Sequence, residues 1–234
     1  MPKIAETYIN LKIDPSEKFI ENSKAYLFQR ANIFAKEIFK GEPSVCVIVD
    51  DGSYKVWVSL ATAIYIVISG YGSFRSGIDH LVKDSRKFSE FVISDFINES
   101  KISKEKIFRI ERRLGIPGKI QRLLKRIDNL GTHMNLTQSI EIINGKPVIS
   151  QKADISQDKD EIESIKNEII RIFEYLESDK DRKIFYDSLP EELRDELPGD
   201  FSEMLLRLPK RYIYRKEDEL LPELPVVKKL PPPE

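Results

Sequence analysis

The stretch Ser44–Val58, SVCVIVDDGSYKVWV, contains the clearest local fold signal in this chain. Two runs rich in β-branched and aromatic residues flank the pair Asp51-Gly52. Such a pair between two β-type runs is the preferred composition of a two-residue type I′ hairpin loop. The pattern therefore predicts two antiparallel strands joined at Asp51-Gly52.

The residues before this hairpin predict a strand followed by a helix. In ETYINLKID, residues 6–14, Tyr8 and Asn10 alternate with apolar side chains, as in a half-buried strand. Asp14 can then cap a helix whose apolar residues recur at helical spacing as far as Gly41. Together with the hairpin, this predicts an N-terminal β-α-β-β unit. Helical patterns dominate the rest of the chain, so the predicted fold class is α+β.

The composition is that of a folded protein without a disulfide framework. The chain has 234 residues, of which 41% are hydrophobic, so it can bury a sizeable core. The single cysteine, Cys46, excludes an intramolecular disulfide and a cysteine-based zinc site. The N-terminal residues lack the apolar core of a signal peptide, so a cytoplasmic location is expected.

An uncharged run over residues 56–74 interrupts a chain that is 33% charged. Three interpretations compete: a membrane span, a buried helix, and an anion-binding loop with Arg75 as its charge. If residues 54–58 form a strand, only 15 uncharged residues remain from position 60 onward. A helical span needs about 20. The glycines between residues 70 and 77 match neither the phosphate-binding P-loop nor the dinucleotide fingerprint.

The helical pattern continues beyond this run and predicts one long helix over residues 59–97, apolar all round at its start and amphipathic afterwards. Ser69, Ser73 and Gly77 would lie four residues apart along one face of it. Small residues at this spacing let two helices approach closely. We therefore predict that these three residues pack against a helix of another copy and that the protein is a homo-oligomer.

Charge is segregated along the chain although the net charge is −1. Residues 101–126 contain ten basic and two acidic side chains, whereas residues 154–203 contain seven basic and seventeen acidic ones. Blocks of opposite sign predict mutual attraction, within one chain or between copies. The candidate contacts for a membrane or another anion are basic: Arg75, Arg109, Arg112, Arg113, Lys119, Arg122, Lys125 and Arg126.

The basic block itself has three interpretations. It could bind the phosphates of nucleic acid, or the headgroups of anionic lipid on the cytoplasmic side of a membrane. It could also be a solvated helix surface whose charge is complementary to the acidic helix predicted over residues 159–177. The segment ERRLGIPGKIQRLLKRI resembles a helix-turn-helix with a break at GIPG. Its second helix, KIQRLLKRI, has Gln121 as its single Gln, Asn or Ser side chain, which is fewer than base-reading helices usually have.

No residue pattern predicts catalysis, a metal or a cofactor. The two histidines, His80 and His133, lie in neither a metal-binding nor a triad-like context. The predicted organisation has four parts: 1–100, an α+β domain with the long apolar helix; 101–153, a basic helical segment and a hairpin turning at Asn144-Gly145; 154–216, an acidic helical region; and 217–234, a Pro-rich tail.

The segment DGSYKVWVSLATAIYIVISGYGSFRSGIDHLVKDSRKF, residues 51–88, resembles membrane-acting effector subunits of bacterial antiphage defence operons. The resemblance rests on the DGS turn, the apolar run and YGSFRSGID. In such systems a partner, often a nucleotidyltransferase or an ATPase, controls a small effector that perturbs the inner membrane. The resemblance implies an operon-encoded protein partner and supplies no catalytic residues.

The sequence as a whole predicts a non-enzymatic effector in a defence-type system. It would oligomerise through the 59–97 helix and act at the bacterial inner membrane, where anionic lipid is the expected contact. The first alternative is a soluble oligomeric scaffold or regulatory protein that binds a partner through its C-terminal half. The second is a nucleic-acid-binding module that uses residues 101–126.

Overall fold

A computed structural model of the protein describes residues 1–50, 54–69, 71, 73–134, 138–143, 146–151, 155–195 and 197. The strands are β1 (Lys3–Leu11), β2 (Ser44–Asp50), β3 (Lys55–Ala61), β4 (Ile107–Leu114), β5 (Gln138–Ile143) and β6 (Lys146–Gln151). The helices are α1 (Glu17–Ile38), α2 (Ile64–Ile68), α3 (Phe74–Ser100), α4 (Ile116–Met134), α5 (Ile155–Tyr175), α6 (Asp179–Asp187) and α7 (Glu191–Asp195). The α+β class predicted from the sequence is confirmed.

The first four strands form one antiparallel sheet in the order β2-β3-β1-β4. Helix α1 connects β1 to β2, and α2 with α3 connects β3 to β4. This is the β-α-β-β-α-β arrangement known as a split βαβ unit. The predicted β-α-β-β start is therefore confirmed, and it forms the first part of a larger unit.

The core lies between the sheet and helices α1 and α3. Val56, Val58 and Leu60 of β3 are fully buried, while the residues between them are half-exposed on the opposite face. Tyr54, just before β3, packs between Phe19 and Phe96, with ring centroids 5.3 and 6.0 Å away. One face of the sheet is thus closed by helices. The other carries exposed side chains.

The single helix predicted over residues 59–97 is wrong. Ser59 and Leu60 belong to β3, where they pair with Glu6 and Ala5 of β1. Hydrogen bonding to β1 therefore keeps the first residues of the uncharged run extended. Helix α3 begins only at Phe74, where the Ser73 hydroxyl accepts a hydrogen bond from the backbone N–H of Ser76. Among the described residues, no helix combines the length and the hydropathy needed to cross a bilayer.

The segment IFRIERRL, predicted as a helix, instead forms β4 at the edge of the sheet. Ile107, Ile110 and Leu114 have the spacing of one helix face, which is why the sequence pattern pointed to a helix. The hydrogen-bonding edge of β1 lies next to them, and pairing with it satisfies their backbone groups. Because β4 joins the same sheet as β1, the N-terminal unit extends past the boundary predicted at residue 100.

Both predicted hairpins form, with one difference in loop length. The last pair of β2 and β3 is Asp50 with Lys55, so residues 51–54 make the connection where two residues were predicted. In the second hairpin, Ile143 pairs with Lys146, which agrees with a two-residue connection. The predicted turn residues 51–52 and 144–145 lie outside the described part of the chain, as does the Pro-rich tail.

The helical elements of the C-terminal half are mostly confirmed, with altered ends. Helix α4 ends at Met134, and the acidic helix predicted over residues 159–177 appears as α5. Helix α6 lies within the acidic helical region predicted over residues 154–216, although its own bounds were not predicted. It packs on α5 through Phe185 and Phe173, whose ring centroids are 5.2 Å apart. At the start of α1, the cap is Ser16 rather than Asp14, because the Ser16 hydroxyl accepts from the N–H of Phe19.

Candidate functional site

The sheet face opposite α1 and α3 is the first candidate site and is called the open face below. Strand register determines which side chains share it. They are Glu6, Tyr8 and Asn10 of β1; Lys55, Trp57 and Ser59 of β3; Cys46, Ile48 and Asp50 of β2; and Arg109, Glu111 and Arg113 of β4. The open face therefore combines aromatic, aliphatic and charged groups on four neighbouring strands.

An apolar strip crosses the middle of the open face. Tyr8 and Trp57 are direct partners on the two central strands, and their ring centroids lie 5.0 Å apart at an angle of 39°. On the far side of Trp57, its β2 partner Ile48 is 56% exposed. Tyr8 is almost covered, whereas the Trp57 side chain is partly exposed. The strip thus presents Trp57 and Ile48 to solvent, with Tyr8 supporting the indole ring from the side.

Charged side chains surround this strip in two tiers. Glu6 is bound by Lys3 and Arg113, and Glu111 is bound by Arg109 and Arg113. The side chains of the two acids are only 12% and 20% exposed, whereas those of Arg109 and Arg113 are 63% and 53% exposed. The carboxylates therefore lie close to the sheet, and the basic groups form the outer surface.

The network on the open face holds Glu6 ionised. Burial on its own would raise the pKa of Glu6, but the hydrogen bonds and charges of Lys3 and Arg113 outweigh burial and lower that pKa below its usual value. The guanidinium carbon of Arg113 also lies 5.9 Å from the ring centroid of Tyr8. Arg113 consequently links the charged part of the face to the aromatic pair.

The structure divides the predicted anion contacts among four places. Arg109 and Arg113 lie on the open face. Arg112 lies on the helix side of β4, with a guanidinium nitrogen 4.0 Å from a carboxylate oxygen of Glu90. Arg75 pairs with Asp128 of α4 at 2.6 Å. The remaining predicted contacts all lie on α4, and they are Lys119, Arg122, Lys125 and Arg126.

The predicted attraction between the basic and acidic blocks is confirmed within one chain. Arg126 of α4 donates hydrogen bonds to Glu161, Ser164 and Glu168 of α5. Its hydrogen bond and positive charge lower the pKa of Glu161. The basic block is therefore partly neutralised by α5, and its surface is less basic than the sequence suggested.

The predicted oligomerisation residues do not share a helix face. Ser69 lies at the C-terminal end of α2, Ser73 caps α3, and Gly77 is buried in the first turn of α3 against Ile68. The close packing that small residues allow is thus used between α2 and α3 of the same chain. The geometric reason for assigning these residues to a contact with another copy is absent.

The Tyr8–Trp57 pair could not be predicted from local pattern, because 48 residues lie between Tyr8 and Trp57 in the chain. One signal was present: Tyr8 occupies the polar side of the alternating pattern in residues 6–14, beside Asn10. An aromatic residue on the polar side of a strand is a candidate for binding, but only the register of β1 with β3 brings the second ring beside it.

Comparison with known proteins adds no relative to this picture. No family model, curated protein or solved structure matches the chain. The resemblance to antiphage effectors therefore stays a prediction. Within the described residues, no group of three or more His, Cys, Asp or Glu side chains could hold a metal ion.

Proposed function

We propose that this protein binds single-stranded nucleic acid on the open face of its sheet. The observation that carries the proposal is the Tyr8–Trp57 pair on the two central strands, beside exposed arginines of β4. This revises the nucleic-acid alternative from the sequence, because the contacts come from the whole sheet and only β4 belongs to residues 101–126.

Trp57 supplies the contact that single strands use most generally. Unpaired bases expose their flat faces, and stacking one base on an aromatic side chain contributes about 1–3 kcal/mol with little dependence on sequence. The indole of Trp57 is partly exposed, and Ile48 extends the apolar surface to the edge strand. A base can therefore stack on Trp57 while a neighbouring base contacts Ile48.

Arg109 and Arg113 supply the charge that a phosphate backbone requires. They lie on β4 on either side of Glu111, so their exposed guanidinium groups flank the Tyr8 end of the apolar strip. Each guanidinium presents several N–H donors in a planar arrangement that suits phosphate oxygens. A strand whose bases lie on the strip would bring its backbone phosphates to these arginines at the Tyr8 end of the strip.

A sheet face of this kind favours single strands over duplexes. Duplex readout usually places a helix or a two-stranded ribbon in the major groove, and a broad four-stranded face does not fit there. A four-stranded sheet whose central strands carry base-stacking aromatics is a known RNA-binding architecture. That analogy concerns the fold alone, so the proposal depends on the side chains of this chain.

Fluorescence of Trp57 tests the proposal directly, because Trp57 is the only tryptophan in the chain. Titration with a single-stranded oligonucleotide is expected to quench its emission in a saturable manner. The duplex of the same sequence is expected to bind much more weakly. Absence of both quenching and anisotropy change with single-stranded DNA and RNA at low salt would overturn the proposal.

Substitutions separate the two contributions. In anisotropy measurements with a labelled oligonucleotide, Trp57→Leu keeps an apolar side chain and is expected to weaken binding about fivefold to 100-fold. The double variant Arg109→Gln/Arg113→Gln should have a shallower plot of the logarithm of the binding constant against the logarithm of the salt concentration. The slope should fall by about 1.4 if each arginine neutralises one phosphate. The matched control is Arg86→Gln, since Arg86 is exposed on α3, away from the open face. This variant should bind the oligonucleotide with the affinity of the original protein. If the Trp57→Leu variant bound the oligonucleotide as tightly as the original protein, the stacking role of Trp57 would be contradicted.

The membrane-effector prediction stays untested. Its motivation was a continuous apolar helix followed by basic residues, and in the structure the uncharged run divides between β3, α2 and the start of α3. We therefore place the nucleic-acid proposal ahead of membrane action and of the scaffold alternative. Leakage of vesicles on addition of the protein, with oligonucleotide binding absent, would reverse this order.

A further inference from the structure

A cleft of about 840 Å³ lies between α4 and α5, apart from the open face. Its size is within the usual range of small-molecule sites. No residue of the open face lines it. The lining residues are Lys119, Arg122 and Arg126 of α4 and Asp160, Glu163, Ser164, Asn167, Glu168, Arg171, Ile172 and Tyr175 of α5.

The two helices run antiparallel, which gives the cleft two different ends. At one end, the Lys119 ammonium lies 3.8 Å from the ring centroid of Tyr175. Further along α4, Arg126 contacts Glu161 and Ser164 near the start of α5. The side chain of Ile172 is buried in the cleft wall and adds an apolar surface near the Lys119 end.

Two arginines of the cleft are available to a ligand. Arg126 is held by carboxylates of α5, and Lys119 lies on an aromatic ring. Arg122 and Arg171 are both exposed, and neither has an ion-pair partner among the described residues. Two guanidinium groups of like charge lining one cleft are favourable for binding a doubly charged phosphate, which can accept hydrogen bonds from both.

The opposite end of the cleft carries acids. Asp160 and Glu163 precede Arg171 by eleven and eight residues, which corresponds to about 16 and 12 Å along a helix. Glu163 pairs with Lys166 of the same helix at 3.3 Å. The carboxylates of Asp160 and Glu163 can accept hydrogen bonds from hydroxyl or amino groups, and they repel phosphate. A ligand that fills the cleft therefore carries its phosphate at one end and hydrogen-bond donors at the other.

We propose that the α4–α5 cleft binds an organic phosphate of the size of a nucleoside monophosphate. Its phosphate contacts Arg122 and Arg171, its apolar part lies against Ile172, and its hydroxyl or amino groups reach toward Glu163. This second site is independent of strand binding on the sheet.

Calorimetric titration of the full chain with AMP, with inorganic phosphate and with vesicles containing phosphatidylglycerol tests the proposal. Saturable AMP binding, tighter than phosphate binding, is expected. Arg122→Gln and Arg171→Gln should each weaken AMP binding about tenfold, since each removes a charge-assisted hydrogen bond. Lys125→Gln, on the same helix but outside the cleft lining, should leave the affinity unchanged.

Two further variants make the outcome specific. Glu163→Gln should weaken the binding of AMP and leave the binding of inorganic phosphate unchanged, because only AMP is long enough to reach the acidic end of the cleft. Trp57→Leu should leave AMP binding intact, so failure of the open-face proposal can be distinguished from failure of this one. The proposal would be overturned if the protein bound no AMP saturably, or if it bound only the vesicles. It would also be overturned if both arginine variants bound AMP as tightly as the original protein.

Discussion

Gly77 of α3 lies so close to Ile68 of α2 that a Cβ atom at residue 77 would be 2.6 Å from the Cβ of Ile68. Real Cβ atoms do not approach one another to this distance. The contact holds α2 against the first turn of α3, and both Ile68 and Gly77 are buried in it. Gly77, which the sequence pattern assigned to a contact with another copy, is therefore needed for packing within one chain.

Gly77→Ala is expected to destabilise the protein. Replacing glycine by alanine inside a helix ordinarily stabilises it by about 1 kcal/mol, but here the added methyl group overpacks the α2–α3 contact, which typically costs about 1–3 kcal/mol. Urea denaturation measures the difference. Ser94→Ala, at an exposed position of the same helix, should change the free energy of unfolding by less than about 0.5 kcal/mol. A Gly77→Ala protein as stable as the original would show that the two helices separate easily.

The Arg126–Glu161 pair is expected to contribute measurably to the docking of α5 on α4. A double-mutant cycle with Arg126→Met and Glu161→Gln should give a coupling energy of about 0.5–1 kcal/mol, since both side chains are partly exposed. Arg126 lowers the pKa of Glu161, so this contribution is complete above the ordinary Glu pKa of about 4.3 and is lost as the pH falls through the lowered pKa.

The same cycle on Lys183 and Asp187, an exposed pair within α6, provides the comparison. Its coupling should be about 0.5 kcal/mol or less. Coupling of Arg126 with Glu161 that persists unchanged in high salt and at acid pH would contradict an electrostatic origin, because both conditions remove the attraction.

Asp181 is expected to make stability fall as the pH rises from acid. This carboxylate is buried on α6, where its Oδ1 accepts a hydrogen bond of 2.6 Å from the backbone N–H of Tyr65. Burial raises the pKa of Asp181 despite that hydrogen bond. The folded protein therefore holds the proton more tightly than the unfolded chain. The stabilisation is complete below about pH 4 and is lost as the pH passes the raised value.

Asp181→Asn should remove this pH dependence while keeping an acceptor for Tyr65, and denaturation at several pH values measures it. Asp181→Ala leaves the Tyr65 N–H unpaired and should cost about 1–3 kcal/mol. Asp179→Asn, at an exposed position of the same helix, is the control. An unchanged pH profile in the Asp181→Asn protein would mean that another group titrates.

Cys46 is expected to report on occupation of the open face. It is exposed on β2 and lies diagonally from Trp57, because its β3 partner is Ser59. The thiol should react with a maleimide in the folded protein, and a bound oligonucleotide should slow that reaction. The rate is measured by mass spectrometry. Protection by AMP but not by oligonucleotide would contradict the assignment of the two sites.

Some of this fold could be predicted from local pattern. The β2–β3 hairpin, α1 and the acidic α5 have periodicities that their tertiary contacts preserve. Local periodicity fails for the strand Ile107–Leu114, because its apolar residues have the spacing of a helix face. Its conformation is decided by the free edge of β1, which no local pattern reveals. The candidate site shares this limit, since Tyr8 and Trp57 lie on strands that are distant in sequence.

The sequence by itself determined the α+β class, the N-terminal β-α-β-β order and the attraction between opposite charge blocks. These follow from local hydrophobic periodicity and from net charge, which act before any long-range packing. Tertiary structure alone decided that the uncharged run divides at Ala61, that Gly77 packs on Ile68, and that Trp57 meets Tyr8 on an exposed face. Strand register and helix docking are collective, because each depends on which distant backbone and side-chain groups become neighbours.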